Sequence, residues 1–329
     1  MRRLGWERIT SILLILPSVT AIAIFVYGFI GFTGLVSLSN WKQLFPDLTL
    51  VGLRNYQRLF ANARFQIDLR NTVVFTVLFL ASSLIIGLLL AVLLDRGVKG
   101  ESIFRSVYLF PMAISFIVTG VVWRWLLNPG TAQAGSMGIN LLFEKFGLGF
   151  LKWGWYTDPT VLYIRPESGV GQLLQRVGLG ALAHANLGMS VAIISLVIAA
   201  TWQMSGYTMA LYLAGLRSIP EELREAARVD GASEVQILRH VVLPLLQPIT
   251  LSAIIILGHI SLKIYDLVVA MTGSGPGFAT DVPAYFMWET TFQANRFNQG
   301  ASVAIVLLLM VAVLVVPYLV YSVRTEAKI

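Results

Sequence analysis

The amino-acid sequence predicts an all-α, polytopic membrane protein with six transmembrane helices. Of its 329 residues, 57% are hydrophobic and only 12% are charged, whereas a soluble domain carries roughly 25% charged residues. The mean hydropathy is +0.76, and the apolar residues form runs long enough to cross a bilayer. The six runs lie near residues 9–36, 72–94, 104–127, 187–213, 249–271 and 300–323.

The first run also has features of a secretory signal peptide. It follows Arg2 and Arg3, and residues 21–23 offer a small-x-small cleavage site. Its apolar residues continue through Tyr27 and Phe29, however, which makes the run too long for the apolar region of a cleaved signal. We therefore expect a retained first transmembrane helix.

The distribution of lysine and arginine predicts the orientation of the chain. Six crossings place both termini on one side, and a cytoplasmic N-terminus puts the denser positive charge in the inside segments, because the outside loops are roughly twice as long. The net charge of +7 could also suggest nucleic acid. The basic residues lie in short pieces between apolar runs and form no basic stripe, so we expect them to contact lipid headgroups and no nucleic acid.

The segment between the first two runs predicts an amphipathic helix on the membrane surface. In LRNYQRLFANARF, Tyr56, Leu59, Phe60 and Phe65 recur at helical spacing and are expected to face the membrane. This divides the chain into residues 1–71, with the first helix and this segment, and a core of residues 72–329.

A longer outside segment, residues 128–186, interrupts the core. It contains the aromatic stretch LKWGWYTDP, in which Trp153, Trp155 and Tyr156 could anchor the chain at the membrane interface or face an arriving solute. The sequence leaves both interpretations open.

The most polar part of the chain lies between the fourth and fifth runs, at residues 217–248. Pro220 and two following glutamates favour a helix start, Gly231 ends that helix, and a second helix is expected from Ser233 to about Val242. The pattern predicts a helix-turn-helix at the cytoplasmic surface. It could be an ordinary interfacial loop or a docking site for another protein, with Glu225 paired locally or with a basic group on the partner.

The spacing within this segment resembles a known family motif. It resembles the EAA loop of importer-type ABC transporter permeases, which follows a fixed order. This loop has an EAA triplet, three residues and a glycine, followed by nine residues, a β-branched residue, one residue and Leu-Pro. The motif positions are Glu225, Ala226, Ala227, Gly231, Val241, Leu243 and Pro244, and Asp230 opens the DGAS that resembles the extended form of the motif.

The resemblance extends over most of the chain. PMAISFIVTGVVWRWLLNP at residues 111–129, YLAGLRSIP at 212–220 and TGSGPGFAT at 272–280 are similar to the carbohydrate-uptake branch, of the maltose- and glycerol-phosphate-permease type. Residues 160–186 depart from the pattern and read as an insertion.

The resemblance implies the ABC importer type I permease fold and a set of partners. These are a second homologous permease, two copies of an ABC ATPase, an extracytoplasmic sugar-binding protein and a sugar. It also implies that the segment with Glu225 and Gly231 inserts into a cleft of the ATPase. The chain contains no GxxxxGK[ST] phosphate loop. We therefore expect a transport subunit with no catalytic residue, metal or cofactor of its own, and ATP and Mg²⁺ on the partner.

Polar residues inside the apolar runs are the candidates for a substrate pathway, because such groups are costly in a membrane. Lys263 and Asp266 are three residues apart, so on one helical face they could neutralise each other or contact a sugar. The resemblance places Gln203, Tyr207 and Ser261 among pocket-lining positions. The full set is Trp202, Gln203 and Tyr207 in the fourth run and His259, Ser261, Lys263, Tyr265 and Asp266 in the fifth.

Two other functions remain as alternatives at this point. An ion-coupled secondary transporter would use Lys263 and Asp266 as its coupling site, and a membrane-embedded enzyme would use His259 and Asp266 as acid and base. The enzyme is disfavoured because the chain has three histidines, no cysteine and no clustered carboxylates. The GSGPG turn could be a gate or only a tight turn, and the sequence does not name the sugar.

Overall fold

The structure is a computed structural model that describes residues 3–184 and 187–326. The two chain termini, which are predicted to be cytoplasmic, lie outside the described residues. The chain divides into two compact units, residues 1–62 with 286–309 and residues 63–285 with 310–329. The sequence-based boundary between residues 71 and 72 falls inside one continuous helix, Ala63–Asp95.

Helices make up most of the described chain, and the four short strands pair as two antiparallel ribbons, β1 with β2 and β3 with β4. In chain order the elements are α1 (Arg3–Ile22), α2 (Phe29–Ser37), α3 (Arg54–Phe60), α4 (Ala63–Asp95), α5 (Glu101–Leu109), α6 (Phe116–Leu126), β1 (Gly130–Thr131), β2 (Gly135–Ser136), α7 (Gly138–Lys145), β3 (Val161–Leu162), α8 (Gly169–Arg176), β4 (Met189–Ser190), α9 (Ile193–Ser218), α10 (Glu221–Val229), α11 (Glu234–Ile237), α12 (Leu243–Leu245), α13 (Gln247–Leu262), α14 (Asp266–Met271), α15 (Pro283–Trp288) and α16 (Phe297–Glu326).

The number of membrane spans agrees with the sequence. Four stretches, Thr10–Ser37, Ala63–Asp95, Ile193–Ser218 and Phe297–Val320, are long and apolar enough to cross a bilayer unbroken. Two bent pairs supply two more if each pair counts as one span. They are Glu101–Ala113 with Phe116–Leu126, bent by 100°, and Glu234–Leu245 with Gln247–Leu262, bent by 64°.

In the first unit, a buried polar cluster fixes the end of α2. The side-chain amide of Asn55, on α3, donates to the carbonyl oxygens of Ser37 at 2.8 Å and Ser39 at 2.7 Å. Its own amide oxygen accepts from Asn298 at 3.0 Å, at the start of α16. Ser302, one turn further along α16, also donates to the Ser37 carbonyl at 3.2 Å.

This cluster corrects the expected interfacial helix. Leu59 is fully buried, and the Tyr56 hydroxyl lies 2.7 Å from the hydroxyl of Ser37. Phe65, which belongs to α4 in the second unit, is also fully buried, so only Phe60 of the four residues is exposed. The amphipathic pattern therefore reflects packing against protein, because the paired polar groups hold α3 against the end of α2.

The second unit is arranged around α9, and 72% of the residues in the most apolar stretch of this helix are buried. Gly206 lets α5 approach α9 closely, because a side chain there would overlap the backbone of Tyr108. The Ser82 hydroxyl of α4 lies 2.6 Å from that of Thr201 on α9. Small residues and hydrogen bonds of this kind hold helices together where lipid removes the hydrophobic drive for association.

The turn that follows α14 is fastened to the first residues of α4. Asp281, whose side chain is buried, pairs with the guanidinium of Arg64 at 2.5 Å. The Asn71 amide donates to the carbonyl oxygens of Phe278 and Asp281, both at 2.9 Å. Burial raises the pKa of Asp281, while the bond from Arg64 acts in the opposite direction. These contacts explain why α4 starts at Ala63 and not near residue 72.

The expected outside insertion packs in part against the second unit. The buried amide of Asn140, on α7, donates to the Trp153 carbonyl at 2.8 Å, and the Trp155 indole donates to Asn140 at 2.8 Å. Trp155 and Tyr156 pack against the same apolar core as α9, while Trp153 remains partly exposed. Two of the three aromatic residues therefore contribute to the core.

The close approach at Gly206 gives a stability test. We expect G206A to lower the free energy of unfolding by about 1–3 kcal/mol or more, because the clash is with backbone, which cannot rotate away. The matched control is G31A in α2, where a methyl group meets nothing within 4 Å. Thermal unfolding of the purified chain in detergent measures both, and equal melting temperatures would contradict the packing described.

Candidate functional site

The polar loop has the predicted helix-turn-helix form. α9 ends at Ser218, Pro220 is the N-cap residue of α10, and Gly231 takes a left-handed conformation with φ +80° that reverses the chain. Ser233 and Gln236 then form a capping box at the start of α11, in which the Ser233 backbone N–H donates to Gln236 at 2.8 Å. Local sequence signals therefore determine this part of the fold.

The two faces of α10 differ in exposure. None of its residues is buried, and only Arg224 and Ala227 are half-buried on the inward side. The outward side shows Leu223, Ala226 and Val229, the last of which is 87% exposed. Apolar side chains at this spacing on an otherwise charged loop form a surface suited to a protein partner.

Two exposed apolar residues of the polar loop were not predicted from the sequence. Val229 and Val235 belong to no part of the EAA motif, yet both are strongly exposed. Two valines within a charged loop were the signal that could have identified them. Near the end of the motif, Leu243 and Pro244 are also exposed, and Asp230 is the C-cap residue of α10.

The charged residues of the loop divide into two sets. Arg228 donates to Glu234 and to Glu221, each at 3.0 Å, and so joins α10 to α11. These bonds, the one to Glu234 first, raise the pKa of Arg228. Glu225 makes no hydrogen bond or ion pair with any residue that the structure describes. Its carboxylate is exposed and available to a basic group on another protein.

The predicted pathway residues fall into buried and accessible groups. Gln203 is buried and donates to the carbonyl oxygen of Ile114 at 2.6 Å, and Ser261 is buried and donates to Gly258 at 2.8 Å. Both side chains therefore satisfy backbone groups of the second unit. The accessible or half-buried members are Trp202, Tyr207, His259, Lys263, Tyr265 and Asp266.

The prediction that Lys263 and Asp266 lie on one helical face is wrong. α13 ends at Leu262, Tyr265 has φ −130° and ψ −55°, and α14 begins only at Asp266. No ion pair joins the two charges within the described part of the chain. Ile264, which lies between the two helices, is buried in the apolar core.

A second helix break lies at Ile114, between the two halves of the third span. Ser115 caps α6 there by accepting from the Val118 N–H at 3.3 Å. α6 and α14, which follow the two breaks, pack closely, since a side chain at Gly120 would come within 2.7 Å of the Ala270 Cβ. Non-helical backbone at membrane depth is tolerated where it is buried in protein or lines a cavity.

Membrane spans interrupted by such breaks, together with a polar helical loop, define this chain as a membrane transport subunit. A model of the family described as binding-protein-dependent transport system inner membrane component matches residues 83–325. The chain belongs to this family and is a permease of an ABC transporter, a transport subunit and not an enzyme.

Several characterised or named proteins are similar to this chain over most of its length. A Pyrococcus horikoshii protein named "Probable ABC transporter permease protein PH1215" is 39% identical, covering 96% of this chain and 97% of its own. The xylose/arabinose import permease protein XacH of Haloferax volcanii is 32% identical over 91% and 84%. The trehalose/maltose transport system permease protein MalF of Thermococcus litoralis is 26% identical over 93% and 91%. These relatives give no support to an ion-coupled transporter.

Solved structures show the same fold. A bacterial ABC transporter involved in the import of the acidic polysaccharide alginate matches with a TM-score of 0.70 at 20% identity, covering 94% of this chain and 96% of that one. The same kind of transporter in complex with an alginate pentasaccharide-bound periplasmic protein matches with a TM-score of 0.69 at 20% identity, covering 94% and 95%.

The position of Gln203 gives a test that separates a structural role from a substrate contact. Q203E replaces the donating amide nitrogen by an oxygen, so the buried side chain must either lose the bond to the Ile114 carbonyl or take up a proton to keep it, and both are costly. We expect a loss of roughly 1–3 kcal/mol or more in the free energy of unfolding. The control K263Q, at an exposed position, should leave unfolding unchanged. Equal stability of Q203E and wild type would show that the bond to Ile114 is unimportant.

Proposed function

We propose that the chain is the permease subunit of an ATP-driven sugar importer and that the polar loop is its attachment point for a separate ATPase. The observation that carries this proposal is the geometry of α10. It is an exposed helix with small residues at Ala226 and Ala227, an unpaired carboxylate at Glu225 and a left-handed turn at Gly231. The absence of a phosphate loop from the sequence means that the energy must come from another chain.

The narrow outward face of α10 suits insertion into a cleft. Ala226 lets the backbone approach a partner closely on this face, Leu223 and Val229 supply apolar contact, and Ala227 packs inward. A basic residue of the ATPase would pair with Glu225. A second homologous permease would dock a second ATPase copy, and ATP with Mg²⁺ would be held by the ATPase pair.

This assignment fixes the orientation, because ATP is available in the cytoplasm. The polar loop and both termini would be cytoplasmic, in agreement with the density of positive charge. The insertion at residues 128–186 and the turn after α14 would then face the compartment where an extracytoplasmic binding protein delivers the sugar.

The proposed pathway runs along the accessible residues of the second unit. Lys263, Tyr265 and Asp266 lie at the break in the fifth run, where non-helical backbone adds polar groups at membrane depth. Aromatic side chains such as Trp202 and Tyr207 pack on the apolar faces of sugar rings, and His259 adds a hydrogen-bonding group. Gln203 and Ser261 support the walls of the path through their backbone bonds.

The relatives named for xylose and arabinose or for trehalose and maltose support a sugar as the substrate. Closure of the ATPase pair would move the two permeases between outward- and inward-facing states, which is the rigid-body motion of alternating access. Selection of one sugar would rest on the binding protein and on the few polar residues of the path.

The docking role of the loop is tested by E225K and by replacing Gly231 with tryptophan, in the complete complex reconstituted in vesicles. We expect uptake per ATP hydrolysed to fall by about tenfold or more, because a coupling free energy of 1–3 kcal/mol is typical. E222K is the matched control, since it makes the same charge change on an exposed residue of the same helix outside the motif. Normal uptake by E225K and the Gly231 variant would refute the docking role.

The energy source and substrate class are tested together by uptake of labelled sugars in vesicles that contain the complex and its binding protein. We expect vanadate to stop uptake of the sugar that the binding protein retains and an uncoupler to leave it unchanged. Uptake that follows an ion gradient without ATP would contradict the proposal, and uptake of only non-sugar solutes would contradict the substrate class.

A further inference from the structure

Arg224 makes the polar link between α10 and the spans that end beside it. Its Nη1 atom lies 2.9 Å from Oδ2 of Asp95, the last residue of α4. Its Nη2 atom donates to the carbonyl oxygen of Leu216, in the last turn of α9, at 3.0 Å. One guanidinium therefore holds the ends of two spans and the exposed helix of the polar loop.

We propose that Arg224 is a positioning residue that transmits movement of α10 to α4 and α9 together. This inference rests on the proposed function, because it explains how force from a docked ATPase would reach the membrane spans. Arg224 itself would touch neither the nucleotide nor the sugar.

The charge at the C-terminal end of α4 supports this role of Arg224. The C-terminus of a helix carries partial negative charge and leaves its last carbonyl groups without partners, so an aspartate at this position is unfavourable. Asp95 nevertheless ends α4, and Arg224 neutralises it while also bonding the Leu216 carbonyl. The two side chains are only 16% and 17% exposed, so solvent screens this pair much less than a surface pair.

The weak packing of α10 also supports this role of Arg224. No residue of α10 is buried, and Ala227 is its one side chain that packs on the apolar core beneath, among the residues described. A cavity of about 330 Å³, lined by Asp95, Leu216, Arg224 and Val242 among others, lies under the helix. α10 therefore has few steric contacts through which it could move its neighbours, and besides the chain at its two ends the guanidinium of Arg224 is its polar connection to the spans.

Other ion pairs at this end of the second unit have different roles. Arg228 joins α10 to α11 and remains within the loop. Arg217, on α9, pairs with Glu101 of α5 at 2.7 Å and does not touch α10. Within the described chain, Arg224 with Asp95 is the ion pair that connects α10 to a membrane span.

The test uses the complete complex with its partner permease and ATPase, in vesicles. R224Q and D95N should still assemble with the ATPase and hydrolyse ATP, but transport per ATP should fall by about tenfold, since each variant removes the ion pair that joins α10 to the end of α4. R217Q is the control, because it breaks an ion pair at the same end that does not involve α10.

The outcomes separate this inference from the proposed function. Wild-type transport per ATP in R224Q and in D95N would overturn the positioning role. Loss of ATPase from the R224Q complex would also overturn it, because Arg224 would then be a docking residue. A wild-type complex without ATP-dependent uptake would instead refute the proposed function.

A second measurement needs no transport. The chain has no cysteine of its own, so spin labels can be placed by E222C on α10 and I85C on α4, both exposed positions. We expect a narrow distance distribution by electron–electron double resonance in the wild-type complex, a broad one in R224Q, and a narrow one in R217Q. Equal widths in wild type and R224Q would contradict the proposed link.

Discussion

The second unit depends on the close approach of α9 to the helices around it. A membrane removes most of the hydrophobic drive between helices, so association rests on packing of small residues and on hydrogen bonds. Gly206 lets the backbone of α5 lie against α9, and Ser82 bonds Thr201 across to α4. Because α9 continues through Pro220 into α10, the same packing fixes where the polar loop begins.

This arrangement separates a rigid part of the molecule from a loosely attached one. Some buried polar side chains of the spans bond to backbone, as the amide nitrogen of Gln203 does to the carbonyl oxygen of Ile114. α10, in contrast, lies on the surface with an exposed apolar face and one half-buried arginine. A helix attached in this way can receive a partner without disturbing the core, while Arg224 keeps it connected to the ends of α4 and α9.

Local signals predicted much of this structure. The apolar runs located all six spans, and Pro220, Gly231 and Ser233 located the ends of the two loop helices, because capping and left-handed turns depend on residues a few positions apart. Tertiary contacts caused the differences. The buried positions of Asp68 and Asn71 near the start of α4 could not be distinguished from a surface segment by composition.

The same limit applies to the site. Gln203 was placed in the substrate pathway by its polar side chain and by the resemblance, but its backbone partner Ile114, 89 positions away, could not be predicted from local sequence. Lys263 and Asp266 were placed on one helix because the apolar run continues through them, and the end of α13 at Leu262 shows the break. Arg224 and Asp95 are 129 positions apart, so no local pattern could have paired them.

The central claim is that energy enters this permease through the outward face of α10, and cross-linking tests it most directly. In the cysteine-free chain, A226C would carry a short cross-linker on that face, and V98C would carry it in the turn that follows α4. We expect the ATPase subunit to be captured from position 226 in the assembled complex and not from position 98. Capture from position 98 with none from position 226 would contradict it.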